Sequence, residues 1–295
     1  MIIFDGYRSA EVKEASLRAE VAAARLAGKS PKVAAILFSD DPGSQLYTQL
    51  KQRAAQRVGI EYEIYTFSMR DPVQIVLEQL QRLNLNDSVT GIIIQKPWRS
   101  RWEEVVGDLR AITFADWWTQ LTSQIAEAKD VDGLHPRTLA AVEQGTWQQE
   151  GRVLPATVRA VLEILQVANA FSPGAKIAVI GRSDILGKPL FYELRNRGIQ
   201  VELLGKQQLS DRMQSGQMLL DFDVVISATG SKHLVTLDMV KTGVTLVDVG
   251  EPQPDINPEG MEQKASFMTP VPGGVGPMTV VSLLENSLEL MNYSS

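Results

Sequence analysis

The sequence predicts an α/β chain with two three-layer domains of mainly parallel sheet flanking a cleft. Three features lead there. Short, continuous apolar runs are closed by turn residues, these runs alternate with helix-spaced segments, and one of them enters a glycine turn directly. Residues 9–27 place Val12, Ser16, Leu17, Val21, Ala24 and Leu26 loosely at helical spacing and stop at Gly28. Val33–Phe38 is uniformly apolar and ends at Ser39-Asp40-Asp41-Pro42-Gly43, the pattern of a strand buried on both faces. A helix over 44–58, a strand over 61–67, a helix over 72–83 and a strand over 91–95 follow. Strand–helix–strand repetition of this kind requires right-handed crossovers and a parallel sheet.

Residues 98–128 are less regular. Trp98, Trp102, Val105, Val106, Leu109 and Ile112 follow one helical stripe, and Phe114, Trp117, Trp118, Leu121 and Ile125 another. Four of the five tryptophans fall here, which reads as aromatic core or a subunit contact, with a lid as the other reading. From Pro155 a second unit begins: a helix over 155–167, strands over 176–180, 200–204, 223–228 and 244–249, and a final helix over 276–292. The expected domains are 1–154, completed by the C-terminal helix 276–295, and 155–275. A length of 295 residues suits about two domains.

Composition removes several function classes. With 29 basic and 35 acidic side chains the net charge is −6, which argues against a nucleic-acid binder held by a basic surface. No cysteine is present, so disulfides, thiolate metal sites and a cysteine nucleophile are excluded, and two histidines far apart make no multi-histidine centre. No apolar run approaches the ~18 residues of a membrane span, and the N-terminus lacks a signal pattern. A cytoplasmic enzyme without membrane or nucleic-acid partners is expected.

Ile180-Gly181-Arg182-Ser183-Asp184-Ile185-Leu186-Gly187-Lys188-Pro189 joins a strand to a helix through two glycines. The first glycine lets backbone approach a pyrophosphate, and the helix N-terminus offers free N–H groups. The domain is therefore Rossmann-like, although an ordinary βα turn has a similar pattern. Arg182 stands beside this turn and Lys206 follows the next strand, where an acid would hold the ribose of NAD. Two cations without a carboxylate favour a 2′-phosphate, hence NADP; Lys206 alone could equally be a solvated lysine. Tyr47 and Lys51 share a helix face, which suits proton transfer by a lysine of lowered pKa, though such pairs are common on helix surfaces. Gln95 ends a strand, and Lys129-Asp130-Val131-Asp132-Gly133 follows the tryptophan-rich segment. A glutamine and an aspartate converging at strand ends suit a pterin-like heterocycle; a cation site at Asp130 and Asp132 lacks further oxygen ligands. Thr269–Thr279 holds three prolines and three glycines in eleven residues, a stiff loop with accessible main chain leading to Thr279 in the last helix.

Together these segments closely resemble the bifunctional methylenetetrahydrofolate dehydrogenase/methenyltetrahydrofolate cyclohydrolase family, in order and across essentially the whole chain. The matching pieces are Ser44–Tyr47 with Lys51, Gly91–Gln95 with Pro97, Lys129–Pro136, Ile180–Pro189, Asp248–Gly250 and the 269–279 loop. The resemblance implies that Lys51 is the cyclohydrolase lysine, Tyr47 orients the pterin, Gln95 partners the lysine and Asp132 anchors the ring. It implies that Gly181, Arg182 and Ser183, with Gly187 behind them, hold NADP, and that Lys206 reads its 2′-phosphate. Pro272, Gly273 and Gly274, with Thr279, are expected at the folate and nicotinamide pocket, and a homodimer is expected.

The chain also departs from the family. Lys96 replaces a usual leucine and puts a new cation beside the folate site. Glu251 stands at an apolar cofactor position, the 98–128 segment is long, and the stretch from Gly250 to Thr269 lacks a small hairpin. These departures leave two alternatives: a dehydrogenase with weak cyclohydrolase activity, or a silent paralogue acting as a binding protein.

Overall fold

The computed structural model of the chain describes residues 1–107 and 112–293. It divides into two compact units, one of Met1–Glu11, Val142–Thr146 and Pro155–Ser282, the other of Val12–Ala141, Trp147–Leu154 and Leu283–Ser295. Every strand pair in both sheets is parallel, as the crossover pattern requires.

The unit built on residues 12–141 contains a three-stranded sheet in the order β3-β2-β4, with β2 at Lys32–Phe38, β3 at Glu61–Phe67 and β4 at Gly91–Ile94. β2 is central, and its six residues from Val33 to Phe38 are all buried, so both faces of the sheet are covered. Helix α2 (Pro42–Val58) packs on β2 and β3. Ala34, Ile36, Phe38, Ile92 and Ile94 meet a second layer from α3 (Val73–Leu85), α4 (Arg99–Val106) and α5 (Phe114–Thr122).

Trp102 and Trp117 lie in that core, 5.7 Å apart between ring centroids, which agrees with the core reading of the tryptophan-rich segment. Its first helical stripe is shorter than expected. Gly107, at φ 48° and ψ −133°, ends α4 after Val106, and Thr113 caps α5 by accepting the Asp116 N–H. Ile112 therefore lies between the helices, half-buried on the same core, and Leu109 falls outside the described residues.

The other unit contains a six-stranded sheet in the order β1-β9-β8-β7-β5-β6. Its main strands are β5 (Lys176–Ile180), β6 (Gln200–Leu204), β7 (Val224–Ser227) and β8 (Thr245–Asp248). Two-residue strands β1 (Ile2–Ile3) and β9 (Phe267–Met268) extend it, too short for any periodicity to reveal. Helix α8 (Gly187–Asn196) packs on β5 and β6. Helix α1 (Gly6–Leu26) starts three residues before the expected point because Asp5 caps it, its carboxylate accepting the Arg8 N–H at 3.0 Å. Beyond the helices expected from the sequence are α6 (Pro136–Gln144) and α9 (Lys206–Gln214); α7 spans Ala156–Val167 and α10 Val275–Tyr293, and α6 and α10 each contribute residues to both units.

Candidate active site

In a parallel sheet the ligand crevice opens at the carboxyl ends of strands where chain order reverses. In the three-stranded sheet that point lies between β2 and β4, and Gln95 stands on it. The Gln95 N–H donates to the Ile36 carbonyl at 2.9 Å, carrying the ladder one residue past β4. Helix α2 is docked over the same point by its N-cap. Asp41 accepts hydrogen bonds from the Gly43 N–H (3.1 Å), the Ser44 hydroxyl (2.8 Å) and the Trp98 N–H (2.9 Å), and Ser44 also donates to the Lys96 carbonyl at 3.2 Å. Two turns along α2, Lys51 meets Gln95: its Nζ donates to Oε1 at 2.8 Å.

Lys51 is only 7% exposed, and burial lowers its proton affinity while the charge of Asp132 partly offsets that. Asp132 shows the converse. Burial raises its carboxyl, and Lys51 and Lys96 oppose the rise. Lys51, Gln95 and Asp132 therefore form one group, with Tyr47 half-buried one turn before Lys51 on α2.

The turn bearing Asp132 is fixed by its neighbours. Asp130 bridges to Ile92, and its carboxylate accepts the Leu134 N–H (3.1 Å), the His135 N–H (2.9 Å) and the Thr138 hydroxyl (3.0 Å). Three protein donors thus occupy the first acid of the Asp-x-Asp pair. Lys129 caps α3, donating to the carbonyls of Leu83, Asn84 and Asn86, and is structural. The Asn286 amide of α10 donates to the Val131 and Leu154 carbonyls, both at 2.9 Å.

Two further residues belong here. Tyr62 on β3 is buried, and its phenol is pushed up by burial and by the Asp132 charge. Lys96 holds its ammonium over the Trp118 and Phe114 rings, at 5.1 and 5.6 Å from their centroids. Its place beside Gln95 exposed Lys96 in the sequence, whereas nothing there linked Tyr62 to Asp132.

In the six-stranded sheet the order reverses at β5, between β6 and β7. Gly181 has φ +113°, and a Cβ there would lie 2.4 Å from the Ala228 carbonyl oxygen, so only glycine lets the ends of β5 and β7 approach this closely. At Gly187 a Cβ would lie 1.9 Å from the Gly181 oxygen, which packs the first turn of α8 onto the loop. Ser183 Oγ accepts the Leu186 and Gly187 N–H groups at 3.3 and 3.4 Å.

Arg182 runs past Gly205, where a Cβ would stand 2.9 Å from its Cδ, and so reaches the start of α9 beside Lys206. Both cations are exposed. The acid of β6, Glu202, lies before the strand tip and faces Arg212 at 3.5 Å. A glycine cradle with two cations and no carboxylate at the tip fits a dinucleotide carrying a 2′-phosphate.

Asp248 of the Asp248–Gly250 motif clamps its own loop, accepting the Gly250, Asp255 and Ile256 N–H groups. Glu251, after β8, is half-buried, and desolvation pushes its carboxyl up to about 7. Pro272, Gly273 and Gly274 fold against the start of α1. The Gly6 N–H donates to the Gly273 carbonyl at 3.0 Å, and Tyr7 lies over Gly273, which has φ +100°. Thr279 follows in the first turns of α10, its hydroxyl donating to the Val275 carbonyl at 3.3 Å. Among the described residues no helix is long and apolar enough to cross a membrane.

Residues 4–132 match the family profile described as tetrahydrofolate dehydrogenase/cyclohydrolase, catalytic domain, and residues 155–295 the one described as its NAD(P)-binding domain. A relative from Exiguobacterium named Bifunctional protein FolD is 31% identical over 295 residues, covering 98% of each chain. The crystal structure of bifunctional FolD, a methylenetetrahydrofolate dehydrogenase/cyclohydrolase from Campylobacter jejuni, superposes with a TM-score of 0.85 at 30% identity over all of both chains. The Trypanosoma brucei enzyme complexed with NADP cofactor and inhibitor has a TM-score of 0.84 at 26% identity, covering 99% of this chain and 98% of that one.

Proposed function

The chain belongs to the tetrahydrofolate dehydrogenase/cyclohydrolase family, and from that premise we propose the roles of its individual side chains. The enzyme oxidises 5,10-methylenetetrahydrofolate to 5,10-methenyltetrahydrofolate with NADP and hydrolyses the product to 10-formyltetrahydrofolate. The observation that carries the assignment is the hydrogen bond from the buried Lys51 to Gln95, on a lysine that also feels the Asp132 charge.

Hydride loss from the carbon between two folate nitrogens needs positioning more than acid or base, because the nitrogen lone pairs stabilise the cation. When bound, NADP supplies the nicotinamide carbon that accepts the hydride. Asp132, as a carboxylate, accepts hydrogen bonds from the N–H edge of the pterin, and Tyr47 lies against the ring and orients it. For hydrolysis, water adds to the methenyl carbon, the carbon–N5 bond breaks, and one proton is released overall. Neutral Lys51 takes a proton from the attacking water, and the resulting ammonium returns one to N5. Gln95, an uncharged acceptor, aims the amine without pinning its charge.

Gly181, Ser183 and Gly187 hold the pyrophosphate side of NADP, Arg182 and Lys206 its 2′-phosphate, and Glu251 its nicotinamide side. Pro272, Gly273, Gly274 and Thr279 contribute to the folate and nicotinamide pocket. The 155–275 segment is the NADP-binding domain, and 1–154 with the C-terminal helix the folate-binding one. A homodimeric assembly and a cytoplasmic location follow from the family resemblance and are proposed with it.

The decisive experiment measures NADP reduction and methenyl decay separately in Lys51→Met. Hydrolysis should fall about 100-fold or more while hydride transfer is retained to a much greater extent. Equal loss of both activities would overturn the role of Lys51.

A further inference from the structure

Asp255 is fully buried and has no part in the roles assigned above. Its backbone is fixed to the tip of β8: the Asp255 N–H donates to Asp248 Oδ1 at 3.2 Å, and its carbonyl accepts the Val235 N–H at 3.0 Å. Its side chain reaches the tip of the neighbouring strand, β7. Oδ2 accepts the Ser227 hydroxyl at 2.8 Å, the Thr229 N–H at 2.6 Å and the Thr229 hydroxyl at 2.9 Å. Oδ1 has no hydrogen-bond partner among the described residues and lies against Gly250, where a Cβ would stand 2.6 Å from it. Three donors from one strand exit converge on a single oxygen while its twin has none, so the polar capacity of this side chain is committed to Ser227 and Thr229.

Between those two residues is Ala228. Its N–H donates to the Ile180 carbonyl at 2.9 Å, and its oxygen is the atom that a Cβ at Gly181 would meet at 2.4 Å. The turn assigned to the pyrophosphate therefore rests on Ala228, whose neighbours on both sides are held by Asp255. Thr229 Oγ1 also accepts the Ser231 N–H at 3.1 Å, which extends the order across Gly230. A Cβ at Gly230 would lie 3.4 Å from the Glu251 carbonyl oxygen, so this exit abuts the loop that carries Glu251. We propose that Asp255 is a positioning residue for the nicotinamide half of NADP: by tying the exits of β7 and β8 together it sets the crevice wall beside the Gly181 turn before the cofactor arrives. Hydrogen bonds to a carboxylate are stronger than neutral ones, and a buried donor deprived of its acceptor is destabilising, so the wall has one favoured shape. A wall ordered in advance spares the cofactor the entropic cost of ordering it, and the difference appears as affinity.

The inference rests on the placement of NADP at the Gly181 turn, and the test keeps the two apart. Dissociation constants are measured by fluorescence titration for NADPH and by calorimetry for 2′,5′-ADP. The second probe keeps the adenosine half with its 2′-phosphate and lacks the nicotinamide half. In Asp255→Ala the NADPH constant should rise about 30-fold, with the 2′,5′-ADP constant within about 3-fold of wild type. General loosening of the domain would weaken both ligands alike. Asp255→Asn keeps an oxygen for the three donors and should bind NADPH several-fold more tightly than Asp255→Ala. If Asp255→Ala does not fold, Thr229→Val carries the test: it removes one of the three donors, and the NADPH constant alone should rise about 5- to 10-fold. Unchanged NADPH binding in the variant that folds, or equal weakening of both ligands, would overturn the proposal. NADPH binding that survives in Gly181→Ala would instead overturn the placement of the cofactor beneath it, whatever the Asp255 variants do.

Discussion

Lys51 Nζ donates to Gln95 Oε1 at 2.8 Å, joining residues 44 apart in the chain through one hydrogen bond between α2 and the tip of β4. The acceptor is neutral. Burial lowers the proton affinity of Lys51, and an amide oxygen orients the amine without the stabilisation a carboxylate would give its charge. Replacing Gln95 by Glu supplies that charge. In Gln95→Glu, methenyl hydrolysis at pH 7 should fall about 10- to 100-fold, with the rising limb of the rate profile displaced to higher pH. A profile unchanged in position would mean that the amine does not titrate in catalysis.

Arg182 passes Gly205 to reach the start of α9, next to Lys206. Its effect should depend on the phosphate that distinguishes the two nicotinamide dinucleotides. Arg182→Ala is expected to weaken NADPH binding about 10- to 100-fold and NADH binding far less, as read by fluorescence titration. Equal weakening of both would place Arg182 on the shared pyrophosphate instead.

At Gly187 a single methyl group would collide with the Gly181 oxygen. Gly187→Ala must move α8 away from the β5 turn. The expected cost is about 2–4 kcal/mol, seen as a lower unfolding midpoint in urea, together with loss of NADPH binding. A stable variant with normal binding would show that the turn is looser than its contacts indicate.

Glu251 gives a pH signature. Its carboxyl rises from 4.5 to about 7 on burial, so between those values the folded chain binds more protons than the unfolded chain. Stability therefore contains a component that is complete below pH 4.5 and lost as the pH climbs to about 7. For this half-buried group the component amounts to at most about 3 kcal/mol. Glu251→Gln lacks the titration. In cofactor-free protein its stability relative to wild type should grow from pH 5 to pH 8, measured by denaturant unfolding at each pH. A constant difference would mean the carboxyl is solvated.

Much of the molecule is legible in the chain itself. The Val33–Phe38 run, closed by turn residues at 39–43, reads as a strand covered on both faces, because six consecutive apolar side chains leave none for water. The Gly181 and Gly187 spacing marked a turn where backbone approaches backbone, and the contacts a Cβ would make there give the reason. Helix ends were harder. α4 stops at Gly107, although the apolar stripe runs on to Ile112, because periodicity reports which face is buried and not where the backbone turns.

Sequence order alone fixed the parallel α/β architecture, the dinucleotide turn and the candidate residues, since these depend on local patterns of polarity, glycine and charge. Tertiary structure decided which of those residues act together. It turned Asp130 into a structural clamp, set the buried Tyr62 within reach of the Asp132 charge, and caged Lys96 between rings from a helix nearly twenty residues downstream. Proton affinities and charge pairing depend on distance and on exclusion of water, and neither exists until α2, β4 and the 129–133 turn have packed.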